Sequence, residues 1–299
     1  MSLMTEPRKG EWLIFSNAIL WAFFPVITAL TYRSIGGAVS LLLSTVITLL
    51  FFTAVMFYRR KWRELKNALL WKYGLLTAIF IGVLYYSLIF IGLETTSPGN
   101  VAILLLCEVL TSFLLFNVYK KEAFPSEYIV GAILMVMGAG IILVRDFSGI
   151  NMGDLFVLAA TFFAPIGNVY QQKARTIASS ESIMFLRVLL TIPALAVLAY
   201  FLGAPTSLAD LRASLPFLLI NGILVLGLSK ILWIEAIHRI SVTKGVALGS
   251  IAPFLTLIIA WAILKQVPSV WQIVSLVPLT LGVLLLTDNL KRTHLSYRQ

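Results

Sequence analysis

Apolar runs about twenty residues long recur along the chain, and a run of that length crosses the hydrocarbon core of a bilayer, ~30 Å, as a single α-helix. Hydrocarbon offers no partner to a backbone N–H or C=O, so such runs commit the chain to helices that satisfy themselves. A window of about 19 residues predicts ten spans, at 11–31, 36–58, 73–93, 99–118, 127–145, 153–172, 181–202, 214–238, 245–264 and 270–288. The expected fold class is an all-α membrane protein. Only 12% of the 299 residues are charged, against about 25% in a soluble domain, which excludes soluble enzymes and soluble DNA-binding folds. The gaps between spans are too short for a soluble domain, and no linker or low-complexity tract divides the chain. The polar opening MSLMTEPRKG runs into the bundle without a small-residue cleavage site, unlike a secretory signal peptide.

The net charge of +10 has a membrane explanation, because the bases sit in the gaps and form no stripe on a soluble face. The partner implied is the lipid bilayer, with no nucleic acid. With a cytoplasmic N-terminus, the inside segments carry Arg8, Lys9, Arg59, Arg60, Lys61, Arg63, Lys66, Lys72, Lys120, Lys121, Lys173, Arg175, Arg239, Lys244, Lys291, Arg292 and Arg298, 17 of the 23 bases. The outside segments hold Arg33, Arg145, Arg212 and Lys265. This bias puts both termini on the cytoplasmic side of an inner or plasma membrane, and it balances only for an even number of spans. The single cysteine, Cys107, excludes an internal disulfide and a cysteine-based metal cluster.

The chain also matches itself. An offset of 144 places Ser97 on Ser241, Leu104 on Leu248, Lys121 on Lys265, Ile129 on Ile273, Val130 on Val274 and Gly138 on Gly282 without a gap. The predicted organisation is a five-helix repeat at 1–148 and a second at 149–299. Five is odd, so the second repeat enters the membrane inverted, and such pairs rock around a central cavity at mid-bilayer.

This layout resembles the drug/metabolite transporter superfamily, in particular its ten-helix, EamA-like branch of metabolite exporters. The resemblance is carried by the small-residue stretch SVTKGVALGSIAPF at 241–254, the Lys265-Gln266 pair and Gly282, and in the first half by TTSPGN at 95–100, Lys121-Glu122, Gly138 and Gly140. It departs at Glu108-Val109, where the family usually has a proline, and at Gln266, where glutamate is common. The resemblance implies a secondary transporter working by alternating access, and within the branch the chain looks most like exporters of aromatic and other neutral amino acids.

Charges inside a bilayer are expensive and therefore informative. Glu108 sits near the middle of the fourth span, where a charged acid costs about 2.5 to 3.5 kcal/mol. It either faces the cavity, binding a cationic group or a proton, or packs helices as a hydrogen-bonded acid. Its repeat mate is Ala252. Lys230 and Arg187 lie nearer the predicted cytoplasmic ends, where they either contact substrate or snorkel to the headgroups. Glu235, His238 and Arg239 read as a solvated cluster. Trp21, Phe23, Phe24, Tyr85, Tyr86, Phe162 and Phe163 fall at central depth, too deep for interface anchors. A tyrosine hydroxyl in hydrocarbon needs a partner, which points Tyr85 or Tyr86 into the cavity. Prolines 25, 165, 193, 253 and 278 each remove a backbone bond. Pro25 and Pro165, in the first helix of each half, are gating candidates, and Asn17 and Asn168 nearby either re-satisfy freed backbone or bind substrate. Gly131, Gly138 and Gly140 suit close helix contact, within the monomer or in a homodimer.

The expected substrate site is thus Glu108, Tyr85, Tyr86, Trp21, Asn17, Phe163, Asn168 and Lys230. An amino-acid zwitterion with an apolar side chain asks for an acid, a donor and an aromatic wall. A hydrophobic cationic drug would use the same acid and aromatics without Lys230, and a pore-like facilitator is a further alternative. Twice-charged anions would call for several intramembrane bases. His-Glu-x-x-His, Asp-x-x-Asp and Walker A motifs are absent, so no enzyme, metal, cofactor or ATP chemistry is expected.

Overall fold

A computed structural model of the chain describes residues 5–117, 126–143 and 151–288. Among them there is no strand. Among the described residues eight helices are long and apolar enough to cross a membrane: α1 (Glu6–Thr31), α2 (Gly37–Arg59), α3 (Ala68–Gly92), α4 (Pro98–Leu115), α6 (Met152–Arg175), α7 (Ser180–Leu202), α8 (Leu208–Ile237) and α9 (Lys244–Leu264). Two shorter apolar helices, α5 (Glu127–Leu143) and α10 (Val270–Leu286), occupy the remaining predicted spans. The repeat boundary at 148/149, Lys120, Lys121, Glu122, Arg145, Lys291, Arg292 and Arg298 lie outside the described residues.

Several helices begin earlier than hydropathy suggests, because polar caps start them. α8 opens at a capping box in which the Ser207 hydroxyl accepts from the Asp210 N–H and the Asp210 carboxylate accepts from the Ser207 N–H. Asn67 caps α3 by accepting from the Leu69 N–H. Pro7 sits in the first turn of α1, where its missing N–H costs nothing.

The helices pack as α1 on α8, α3 on α6, α2 on α7, α4 on α9 and α5 on α10. Gly131 and Gly282 bring α5 and α10 close, since a Cβ on Gly282 would lie 2.7 Å from the Gly131 carbonyl oxygen. Gly138 packs on Leu279 of α10, whereas a Cβ on Gly140 would meet nothing within 4 Å.

Among the described residues, five helices depart from regular α geometry near their middles. α1 breaks at Phe23 and restarts with Pro25 in its new first turn. α4 breaks at Leu105 and Leu106, directly before Glu108, without a proline. α9 passes through a 3-10 turn at Gly249–Ile251 and restarts with Pro253 in its first turn. α3 and α8 each carry a π-helical segment, Ala78–Tyr85 and Ile220–Leu228. By contrast α6 runs unbroken through Pro165. Neighbouring hydroxyls satisfy carbonyls at these sites: Thr256 donates to the Ala22 oxygen at 2.9 Å, and Thr111 to the Thr161 oxygen, four residues before Pro165, at 2.7 Å. Threonines on neighbouring helices thus take the backbone repair that was one of the two roles open to Asn17 and Asn168.

Candidate functional site

The irregular segments surround one cavity with about 870 Å³ of atom-free space, its open mouth included. Its wall is assembled from α1, α3, α4, α6, α7, α8 and α9, and the broken turns contribute Leu105, Leu106, Gly249 and Ser250. The α4 turn stays bonded through the break, Leu105 N–H to the Val101 oxygen and Leu106 N–H to the Ile103 oxygen, and the wall mixes apolar and aromatic side chains with polar and charged ones.

Asn17, Trp21, Tyr85, Tyr86, Glu108, Asn168 and Lys230 are brought together on this wall, as is Pro25. Phe163 and Pro165 are not: Phe163 packs against the core cluster, and Pro165 is buried within α6. Phe162 is exposed. Lys230 and Arg187 do not run out to a bundle end, as snorkelling side chains would; both are buried and face the cavity.

The cavity holds three ionisable charges, Glu108 on one wall and Arg187 and Lys230 on the others. Glu108 accepts a 2.6 Å hydrogen bond from the Tyr85 hydroxyl. Lys230 places its ammonium 3.2 Å from the centroid of the Trp21 ring, a cation–π contact, and Trp21 stacks in turn on Phe24. Arg187 donates to Gln171 Oε1 at 3.2 Å and lies over the Tyr86 ring, 5.9 Å from its centroid. Gln171 is itself held, because it and the Trp233 indole both donate to Asn168 Oδ1 at 2.9 Å. The Tyr86 hydroxyl interacts with Arg187, and a buried polar atom on the wall, Asn17 Oδ1, has no hydrogen-bond partner among the described residues.

Gln171 and Trp233 were absent from the expected site. Gln171 had a signal, since it lies three residues after Asn168 and therefore on the same helix face. Trp233 stands three residues after Lys230 on α8, the same spacing.

The two ends of the bundle are closed by different chemistry. At the end holding the start of α1, ion pairs join helix ends: Glu6 with Arg239 at 3.0 Å, Glu11 with Lys244 at 2.6 Å, and Glu235 with both Arg175 and Arg239. His238 is exposed beside them, so the expected solvated cluster is also an interhelical tie. At the opposite end Asp154, 1% exposed, accepts from Thr96 and from the Asn100 amide, and Gln272 donates to Asn100 Oδ1 at 2.8 Å. No metal-binding group of three or more His, Cys, Asp or Glu occurs among the described residues.

The sequence profile of the EamA-like transporter family matches the chain twice, over residues 8–144 and 151–288. A relative from Methanothermobacter thermautotrophicus, described as an uncharacterized transporter, is 28% identical over 224 residues, which make up 72% of this chain and 64% of the relative. The aligned region therefore spans just under two thirds of that relative's length. A solved crystal structure at 17% sequence identity covers 95% of this chain and 98% of its own, with a TM-score of 0.67. At that identity the likeness is one of fold.

Proposed function

The chain belongs to the EamA-like transporter family, and from that premise we propose that it is a secondary carrier exporting small amphipathic metabolites, aromatic and other neutral amino acids foremost, by alternating access across the inner or plasma membrane. Family membership points to a non-enzyme, and no cofactor is proposed. The observation that carries the reading is the meeting of Glu108, Lys230 and the Trp21–Tyr86 wall in one cavity at the helix breaks. A zwitterion finds there an acceptor for its ammonium, donors for its carboxylate and aromatic faces for its side chain.

The proposal includes ten spans in two inverted repeats, both termini cytoplasmic. Four observations support it. The family profile matches twice in succession. Exchanging the first five helices with the second five turns the α1–α8 contact into α6–α3 and leaves the pairings α2–α7, α4–α9 and α5–α10 in place. The π segments of α3 and α8, and the breaks of α4 and α9, fall at positions related by the offset of 144 to within about two residues. The basic-residue bias supplies the orientation. A homodimer is the remaining proposed partner.

Efflux of hydrophobic cations is the second reading. The Glu108–Tyr85 pair and the aromatic wall favour it, and the two bases oppose it. A pore-like facilitator is disfavoured by the buried hydrogen-bonded cluster of Asp154, Asn100 and Gln272, which ties α4, α6 and α10 together at one end of the bundle.

Counterflow tests the reading. Purified protein in liposomes preloaded with unlabelled phenylalanine is expected to accumulate labelled phenylalanine, and Glu108→Gln to reduce the initial rate at least about tenfold, as loss of a buried charge-assisted contact does. Absence of counterflow by folded wild-type protein would sink the amino-acid reading.

A further inference from the structure

The charges on the cavity wall narrow the class of substrate, and the narrowing rests on the cavity being the transport site. We propose that Arg187, with Lys230, forms an anion-receiving pole, so that a transported molecule must carry a carboxylate or equivalent anionic group, while a cationic group on it is optional.

Arg187 is 3% exposed and Lys230 9%. Neither lies within 4 Å of a carboxylate among the described residues, and Glu108, the one acid lining the cavity, accepts from Tyr85 and attracts Lys230 only across a distance. Of the five N–H donors of a guanidinium, Arg187 directs some to Gln171 and Tyr86 and leaves the rest for a ligand. Lys230 has the Trp21 face and no hydrogen bond. A buried cation without an anion in contact is costly, and two such cations around one cavity repel each other. An incoming anion removes both penalties. A cation meets two like charges and one acid.

The donors are also arranged for an anion. The planar fork of arginine suits a two-oxygen acceptor, and its orientation is set by a relay running from Trp233 and Gln171 through Asn168. Between the fork and the Lys230–Trp21 pair stands Tyr86, whose buried hydroxyl interacts with the Arg187 guanidinium and completes the polar lining around it. Asn17 Oδ1, unpartnered among the described residues, is an acceptor and serves the ammonium of those substrates that have one. This places a residue outside the expected binding set, Arg187, at the point that selects the substrate.

Three probes sharing a phenylethyl group test it: phenylpropionate, phenylalanine and phenethylamine, titrated into purified protein with quenching of tryptophan fluorescence as readout, since Trp21 and Trp233 line the cavity. Phenylpropionate is expected to bind at least about tenfold more tightly than phenethylamine, which corresponds to one charge-assisted contact. Arg187→Gln is expected to remove that preference and Arg187→Lys to keep part of it. Should Arg187→Gln fail to fold, the wild-type comparison decides. Equal binding of the two, no binding of either, or an unchanged preference in a folded Arg187→Gln overturns the proposal. The outcome separates from that of counterflow: anion preference without phenylalanine counterflow fails the amino-acid reading alone, and phenylalanine counterflow without anion preference fails the anion-receiving pole alone.

Discussion

Glu64 lies outside the membrane-crossing helices, on the 3-10 turn Lys61–Lys66, and ties that turn to the start of α7. Its Oε2 accepts from both the Ser179 N–H at 2.8 Å and the Ser179 hydroxyl at 2.7 Å. Burial opposes its charge, but the Ser179 bonds, with help from Ser182 and Lys61, outweigh burial and hold its carboxyl below the ordinary 4.5. A folded-state value below the unfolded one stabilises above the ordinary carboxylate range, and the contribution disappears as pH falls through the folded value. Glu64→Gln is therefore expected to lower the melting temperature at pH 7 modestly, and the gap to wild type to close on acidification below about pH 4.5; a pH-independent gap would refute this. Among cavity residues, those that stood out in the sequence were charges and hydroxyls inside apolar runs, Glu108, Lys230, Tyr85 and Tyr86, because hydrocarbon makes each costly wherever it points. Gln171 and Trp233 are unremarkable by that measure, and acquire meaning only from the Asn168 oxygen they share.

The pairing of α5 with α10 rests on small residues. A Cβ on Gly282 would come within 2.7 Å of the Gly131 backbone oxygen and closer still to Met135, so the helices must separate to accept it. Gly282→Ala is expected to cost about 1–3 kcal/mol, the usual range for overpacking. Gly140→Ala, facing open space, is expected to be neutral or stabilising by up to about 1 kcal/mol through helix propensity. Thermal denaturation of the two variants side by side checks the pair, and equal effects would contradict this packing. Helix existence was legible at this level because hydropathy needs no partner, and the caps at Ser207 and Asn67 explain where the ends moved. The break of α4 before Glu108 was not, since no proline or glycine marks it; there α4 packs against α9 and α6.

Across the molecule, the two bundle ends differ in what it takes to open them. The Glu11–Lys244 pair is well exposed, 41% and 38%, and exposed pairs contribute at most about 1 kcal/mol. The Asp154 network is buried, and removing its carboxylate strands Asn100 and Thr96. Lys244→Ala is expected to cost under about 1 kcal/mol and Asp154→Ala at least about 1–3 kcal/mol, read as melting temperatures in one detergent; a reversal would show that the Asp154 end is not the firmer seal. Membrane-crossing helices, all-α class and the candidate acids and bases could be read from the chain because they are consequences of local chemistry: an apolar run partitions into lipid and a charge within it is expensive, whatever packs nearby. The joining of Arg187, Gln171, Trp233 and Lys230 around one cavity could not, because it depends on how each helix is rotated and where it breaks. Those are settled by side chains more than a hundred residues apart filling shared space, such as the Thr256 hydroxyl that meets the Ala22 carbonyl.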